Sequence, residues 1–133
     1  MKMSFSLTLF LLLTLIQVDV IAAPVGYKVG NSAPEFKLNA LNGKPYSLLS
    51  LRQKGHVLVV FLAVECVYCY AHIKEFNQAH DEFKDKLTIA AINVGGEYPV
   101  EVSEYVKENQ LKYLVLSDRL NNLDVAEDYR VLG

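Results

Sequence analysis

The chain has 133 residues, 52% hydrophobic and 21% charged, with a net charge of −2, a size that suits one modest domain. Thirteen Lys and Arg against fifteen Asp and Glu, with no basic run, provide no footprint for a phosphate backbone, so nucleic acid is not an expected partner. Two cysteines are too few for a disulfide-stapled scaffold or an all-cysteine zinc site.

Phe5 to Ile16 is a nearly unbroken apolar run preceded by Lys2 and followed by Gln17 and Asp19. As a helix it spans about 18 Å, short of the roughly 30 Å hydrocarbon core of a bilayer. Val20-Ile21-Ala22-Ala23 then supplies small residues for a signal peptidase, so residues 1–22 are expected to be a cleaved export signal and 23–133 the domain. No stable membrane insertion is expected after cleavage. The alternative, an uncleaved anchor reaching Val25, must hold Asp19 near hydrocarbon.

Downstream, Glu35 to Ala40 alternates weakly and leads to Asn42-Gly43, a two-residue hairpin signal. Val57 to Val64 is continuously apolar and valine-rich, which predicts a central strand covered on both faces. From Cys66 to about Lys86 the spacing becomes helical, with Ile73, Phe76, Ala79 and Phe83 on one stripe, and predicts one long amphipathic helix. Leu87 to Val94 repeats the buried-strand pattern and Gly95-Gly96 ends it. A helix follows over Val100 to Asn109, facing inward through Val102 and Val106. Tyr113 to Leu116 gives a further strand and Asn121 to Tyr129 a last helix. Strands alternating with helices predict an α/β domain with a mainly parallel central sheet flanked by helices, plus the N-terminal hairpin.

The chemistry concentrates in Cys66-Val67-Tyr68-Cys69, where the strand passes into the helix. Unpaired amides at a helix start favour a thiolate at Cys66, and Cys69, about 60° away around the helix, is within reach of a mixed disulfide formed there. A static exported disulfide is the plainer alternative. A bridge over so short a loop constrains the unfolded chain little, so it makes a poor staple.

The chain resembles the redoxins of the AhpC/TSA and TlpA-like branch of the thioredoxin superfamily. Gly30-Asn31-Ser32-Ala33-Pro34-Glu35-Phe36 looks like the family's entry segment, and Val59 to Ala63 with the cysteine pair looks like its strand and active-site turn. Ala91 to Gly96 and Leu114 to Asp118 agree as well. The resemblance implies a thioredoxin-like fold and thiol-disulfide exchange with protein thiols or disulfides, Cys66 attacking and Cys69 resolving, with no cofactor beyond the pair. Where relatives carry tryptophan, proline and proline, this chain has Glu65, Tyr68 and Lys74. Beside Cys66, Glu65 is expected to oppose the thiolate, and His72 to influence thiol protonation. Relatives continue past Leu132-Gly133 into a Val-Pro-Thr-type loop, a hairpin and a helix, so those C-terminal strands and helix are expected to be missing, leaving an exposed sheet edge.

Two rivals remain. A peroxiredoxin-type peroxidase shares the fold, but its threonine three positions before the cysteine is replaced by Ala63. A copper or zinc chaperone would draw on Cys66, Cys69 and His72, yet on a regular helix Cys66 and His72 stand about 120° apart, so no metal site is expected.

Overall fold

The computed structural model describes residues 22–119 and 123–131. Most of the expected signal segment, residues 1–21, and Asn121 and Asn122 of the expected last helix lie outside the described residues. Among those described, no helix is long and apolar enough to cross a membrane.

The hairpin forms from β1 (Lys37–Ala40) and β2 (Pro45–Ser47), with Leu38 opposite Tyr46 and Asn39 opposite Pro45. Its loop holds three residues rather than two. Ala40 N donates to Lys44 O at 2.9 Å and Gly43 N to Ala40 O at 2.8 Å, while Asn42 Oδ1 accepts the Lys44 amide at 3.0 Å. Asn42 thus makes a side-chain turn and Gly43, at φ +80°, takes the left-handed position that closes a three-residue loop.

Helix α1 (Leu48–Arg52), not expected from the sequence, follows β2 directly. Ser47 and Ser50 cap each other reciprocally at its start, and Leu48 and Leu51 are buried beneath the sheet. Then come β3 (His56–Leu62), the short helix α2 (Val67–Ala71), α3 (Ile73–Phe83), β4 (Leu87–Asn93), α4 (Pro99–Glu108), β5 (Leu114–Ser117) and α5 (Asp124–Asp128).

These strands make one sheet in the order β2-β1-β5-β4-β3. Among the described residues β3 pairs in parallel with β4 and β4 with β5, whereas β1 runs antiparallel to both β2 and β5. The sheet is therefore mixed, parallel in the half that carries the cysteines. Among the described residues the valine-rich strand, β3, has one strand neighbour, β4, and β4 lies between β3 and β5. Ile89 to Ile92 of β4 are at most 1% exposed, while Leu58 of β3 is 37% exposed.

Alternation along β4 serves both faces. Ala90 and Ile92 pack with Phe36, Leu38, Leu48, Leu51, Leu116 and Val125 beneath α1 and α5. Ile89 and Ala91 pack with Ile73, Val102, Tyr105, Tyr113 and Val115 beneath α3 and α4. At the end of β5, buried Asp118 accepts the Ala126 amide through Oδ2 at 3.0 Å and so caps α5 from outside the helix.

Candidate redox site at the end of the edge strand

Leaving the sheet at Leu62, the chain turns through Ala63, Val64 and Glu65, and Cys66 becomes the cap of α2 with φ −77° and ψ 100°. Cys66 N donates to Ala63 O at 3.1 Å, closing the turn. The two cysteines form a disulfide, their Cα atoms 5.2 Å apart. Their surroundings are unequal. The Cys69 amide donates to Cys66 Sγ at 3.2 Å, whereas Cys69 Sγ lies 4.0 Å from the carbonyl oxygen of Phe61. A donor meets one sulfur and an acceptor meets the other.

The long helix expected from Cys66 onward is two helices. α2 ends at His72, whose φ of −104° and ψ of −1° depart from helical values, and α3 restarts with Phe76 N bonded to His72 O at 3.0 Å. Ile73, the first member of the apolar stripe, is buried, while α2 ahead of it has no fully buried residue and meets the core through the partly buried Cys69. Cys66 therefore caps a helix of five residues, and the local Cys69 amide replaces a long dipole as its electrostatic partner. The 120° separation calculated for Cys66 and His72 on a regular helix lapses with the break.

Cys66, Cys69 and His72 line one apolar cavity of about 300 Å³, completed by Phe61, Tyr68, Phe76 and their neighbours. Glu65 is exposed on the turn and is not part of that lining. Val67 and Tyr68, between the cysteines, are 76% and 84% exposed. Tyr105 and Tyr113 close the far wall. Burial, and then the neighbouring Tyr105, push the Tyr113 hydroxyl up to about 12. Burial and Tyr70 raise Tyr105 in the same sense. Both hydroxyls are thus neutral at physiological pH. Among the described residues no group of three His, Cys, Asp or Glu side chains could hold a metal ion.

Glu97, in the loop after β4, was not singled out by the sequence. Its Oε1 accepts the Val64 amide at 2.7 Å and its Oε2 accepts Asn93 Nδ2 at 2.8 Å. Burial pulls its carboxyl upward, but the bonds from Asn93 and from backbone amides outweigh that and hold it below the ordinary carboxylate range. The available signal was Asn93 itself, a polar residue closing the apolar run Ile89 to Ile92.

The chain belongs to the AhpC/TSA family, whose model matches residues 29–133. It is 32% identical to the chloroplastic peroxiredoxin Q of Arabidopsis thaliana, over 78% of this chain and 47% of that one. The thioredoxin-like protein YneN of Bacillus subtilis is 29% identical over 82% of this chain and 63% of its own. For the thiol-disulfide oxidoreductase ResA of Bacillus cereus the figures are 30%, 69% and 53%. The chain spans about half the length of the curated relatives it matches. Among solved structures, the thioredoxin domain of a thiol-disulfide oxidoreductase from Bacteroides vulgatus superposes with a TM-score of 0.70 at 23% identity, covering 78% of this chain and 74% of that one. A secreted Mycobacterium tuberculosis disulfide oxidoreductase gives 0.63 at 21%, covering 72% and 68%. The fold is thioredoxin-like.

Proposed function

We propose that the domain is an exported thiol-disulfide oxidoreductase acting on protein substrates, with Cys66 as the attacking sulfur and Cys69 as the resolving one. The observation that carries this reading is the asymmetry at the disulfide. Once reduced, a thiolate at Cys66 keeps the Cys69 N–H as a donor, while an anion at Cys69 would face the Phe61 carbonyl. In the reducing direction, the Cys66 thiolate attacks a substrate disulfide, forming a mixed disulfide and releasing one substrate thiolate. Cys69 then loses its proton, to water or to His72 on the same cavity wall, and attacks the Cys66 sulfur. The Cys66–Cys69 bond forms, the second substrate thiolate leaves, and two electrons have passed to the substrate. The reverse sequence oxidises a substrate dithiol. Export is supported by the leader-like Phe5 to Ile16 run and by the secreted bacterial neighbour.

Equilibration with glutathione buffers, combined with alkylation across pH, tests this. Cys66 is expected to alkylate selectively, and a Cys69→Ser variant to accumulate a mixed disulfide that Cys66→Ser cannot form. Two slow, equivalent thiols would reduce the pair to a structural bridge. The peroxiredoxin relative supports a second reading, peroxide reduction at Cys66. Rapid sulfenic acid formation in Cys69→Ser exposed to hydrogen peroxide would favour it, although Ala63 offers no hydroxyl to the peroxide.

A further inference from the structure

We propose that Glu97 is a positioning residue for exchange at Cys66, acting through the backbone of Val64. The inference rests on the exchange reading above and adds a residue to it.

Three separate oddities of the chain meet at this one contact. Val64 lies just past the end of β3, where among the described residues no strand partner receives its amide; the Glu97 carboxylate receives it, at 2.7 Å. Asn93 is fully buried at the end of β4, and it spends its Nδ2 on Glu97 Oε2 while its Oδ1 has no hydrogen-bond partner. Gly95 leaves the space the carboxylate occupies, since a Cβ there would sit 2.2 Å from Glu97 Oε2. A buried amide, an absent side chain and a partly buried carboxylate all cost stability in isolation. Together they hold one backbone N–H two residues before Cys66.

The other side of Val64 is held too, because its carbonyl accepts the Tyr70 hydroxyl at 3.1 Å. With both of its polar backbone groups fixed, and Cys66 N bonded back to Ala63 O, the turn has little freedom to move Cys66 Sγ away from the Cys69 amide. Loss of Glu97 frees one end of that clamp. The other titratable groups facing the pair are Glu65 and Tyr70 from the turn and α2, Tyr68 and His72 from the cavity rim, and Tyr105 and Tyr113 from the far wall.

Charge and position predict opposite signs, which makes the idea testable. If the Glu97 charge acted directly on Cys66, neutralising it would favour the thiolate. Glu97→Gln removes the charge but keeps the contacts: its carbonyl can accept Val64 N–H, and its amide can donate to the vacant Asn93 Oδ1 once Asn93 flips. Glu97→Ala breaks both bonds. Glu97→Asp keeps the charge and loses the reach, and Gly95→Ala displaces an intact glutamate.

The experiment measures the pH midpoint of Cys66 alkylation in the reduced full chain, beside thermal unfolding of each variant. Glu97→Ala, Glu97→Asp and Gly95→Ala are each expected to raise the midpoint by about one unit, roughly a tenfold loss of thiolate at neutral pH, with Glu97→Gln restoring it to near the wild-type value. Equal shifts in Gln and Ala would overturn the proposal: downward in both, the charge acts directly on Cys66; upward in both, the contacts that Gln retains do not set the midpoint. A lowered melting temperature with an unmoved midpoint would overturn it in favour of a purely structural tie, and the Asp and Gly95→Ala variants decide this even where Ala fails to fold. Wild-type protein without selective trapping at Cys66 is a different result: it removes the exchange reading itself, and the positioning role with it.

Discussion

Tyr70 reaches back from the helix that follows the first cysteine and donates its hydroxyl to the Val64 carbonyl, in the turn that precedes it. Its ring stands edge-on to Tyr105 with centroids 5.2 Å apart, so this grip is anchored in the buried face of α4. Tyr70→Phe keeps the ring contact and deletes the bond, and is expected to cost about 1 kcal/mol in urea unfolding. Tyr70→Ala is expected to cost roughly 0.5–1.5 kcal/mol more through the lost aromatic pair. A Phe variant as stable as the parent would mean that water serves the Val64 carbonyl equally well.

Glu65 and His72 flank the cysteine pair from different sides, one exposed on the turn and one on the cavity wall. An exposed carboxylate is screened by water and salt, so Glu65→Gln should lower the alkylation midpoint of Cys66 by only roughly 0.3 unit, and less at 1 M salt. His72→Ala should slow resolution of a mixed disulfide without changing the rate at which it forms. Stopped-flow traces that slow in both phases would assign His72 to the attack step instead.

Alkaline conditions probe the far wall. Because the folded protein holds Tyr113 at about 12, above its ordinary value of 10.0, the stability tied to its neutral hydroxyl is complete below pH 10. That stability is lost as pH rises through the folded value. Ultraviolet titration should show late-ionising tyrosines, one fewer of them in Tyr113→Phe. Urea midpoints of the parent should fall more steeply than those of the variant between pH 10 and about 12, the variant keeping the contributions of Tyr105 and Tyr129.

The positions of β3 and β4 predict unequal costs for the same chemical change. Ile92 is 0% exposed in β4, so Ile92→Ala should cost about 2–5 kcal/mol. Leu58 in β3 is 37% exposed and should cost less than half as much on truncation. Equal losses, measured by urea unfolding, would place β3 as deep in the core as its valines suggest.

Much of this architecture was legible because periodicity reports burial. The continuous buried-strand run of β4 and the stripe from Ile73 to Phe83 mark elements whose faces are covered. What escaped was set by geometry that side-chain type does not encode. Asn42-Gly43 marks a turn, yet the loop length followed from Asn42 bonding the Lys44 amide. The helical stripe begins at Ile73 and says nothing about Cys66 to His72, where the break falls. At the site, the cysteines declared themselves by spacing and by their place after a strand. Glu97 did not, since it lies 31 positions beyond Cys66 in sequence and meets that turn only after β3 and β4 align in parallel register, Leu62 beside Asn93.

The bridge between Cys66 and Cys69 encloses only Val67 and Tyr68. Opening it releases almost no chain entropy, and every strand pairing and both apolar layers lie outside the ring it closes. In the exchange reading proposed above, the strand pairings and both layers therefore stay in place while the bridge opens and closes, and the architecture is not rebuilt on each turnover.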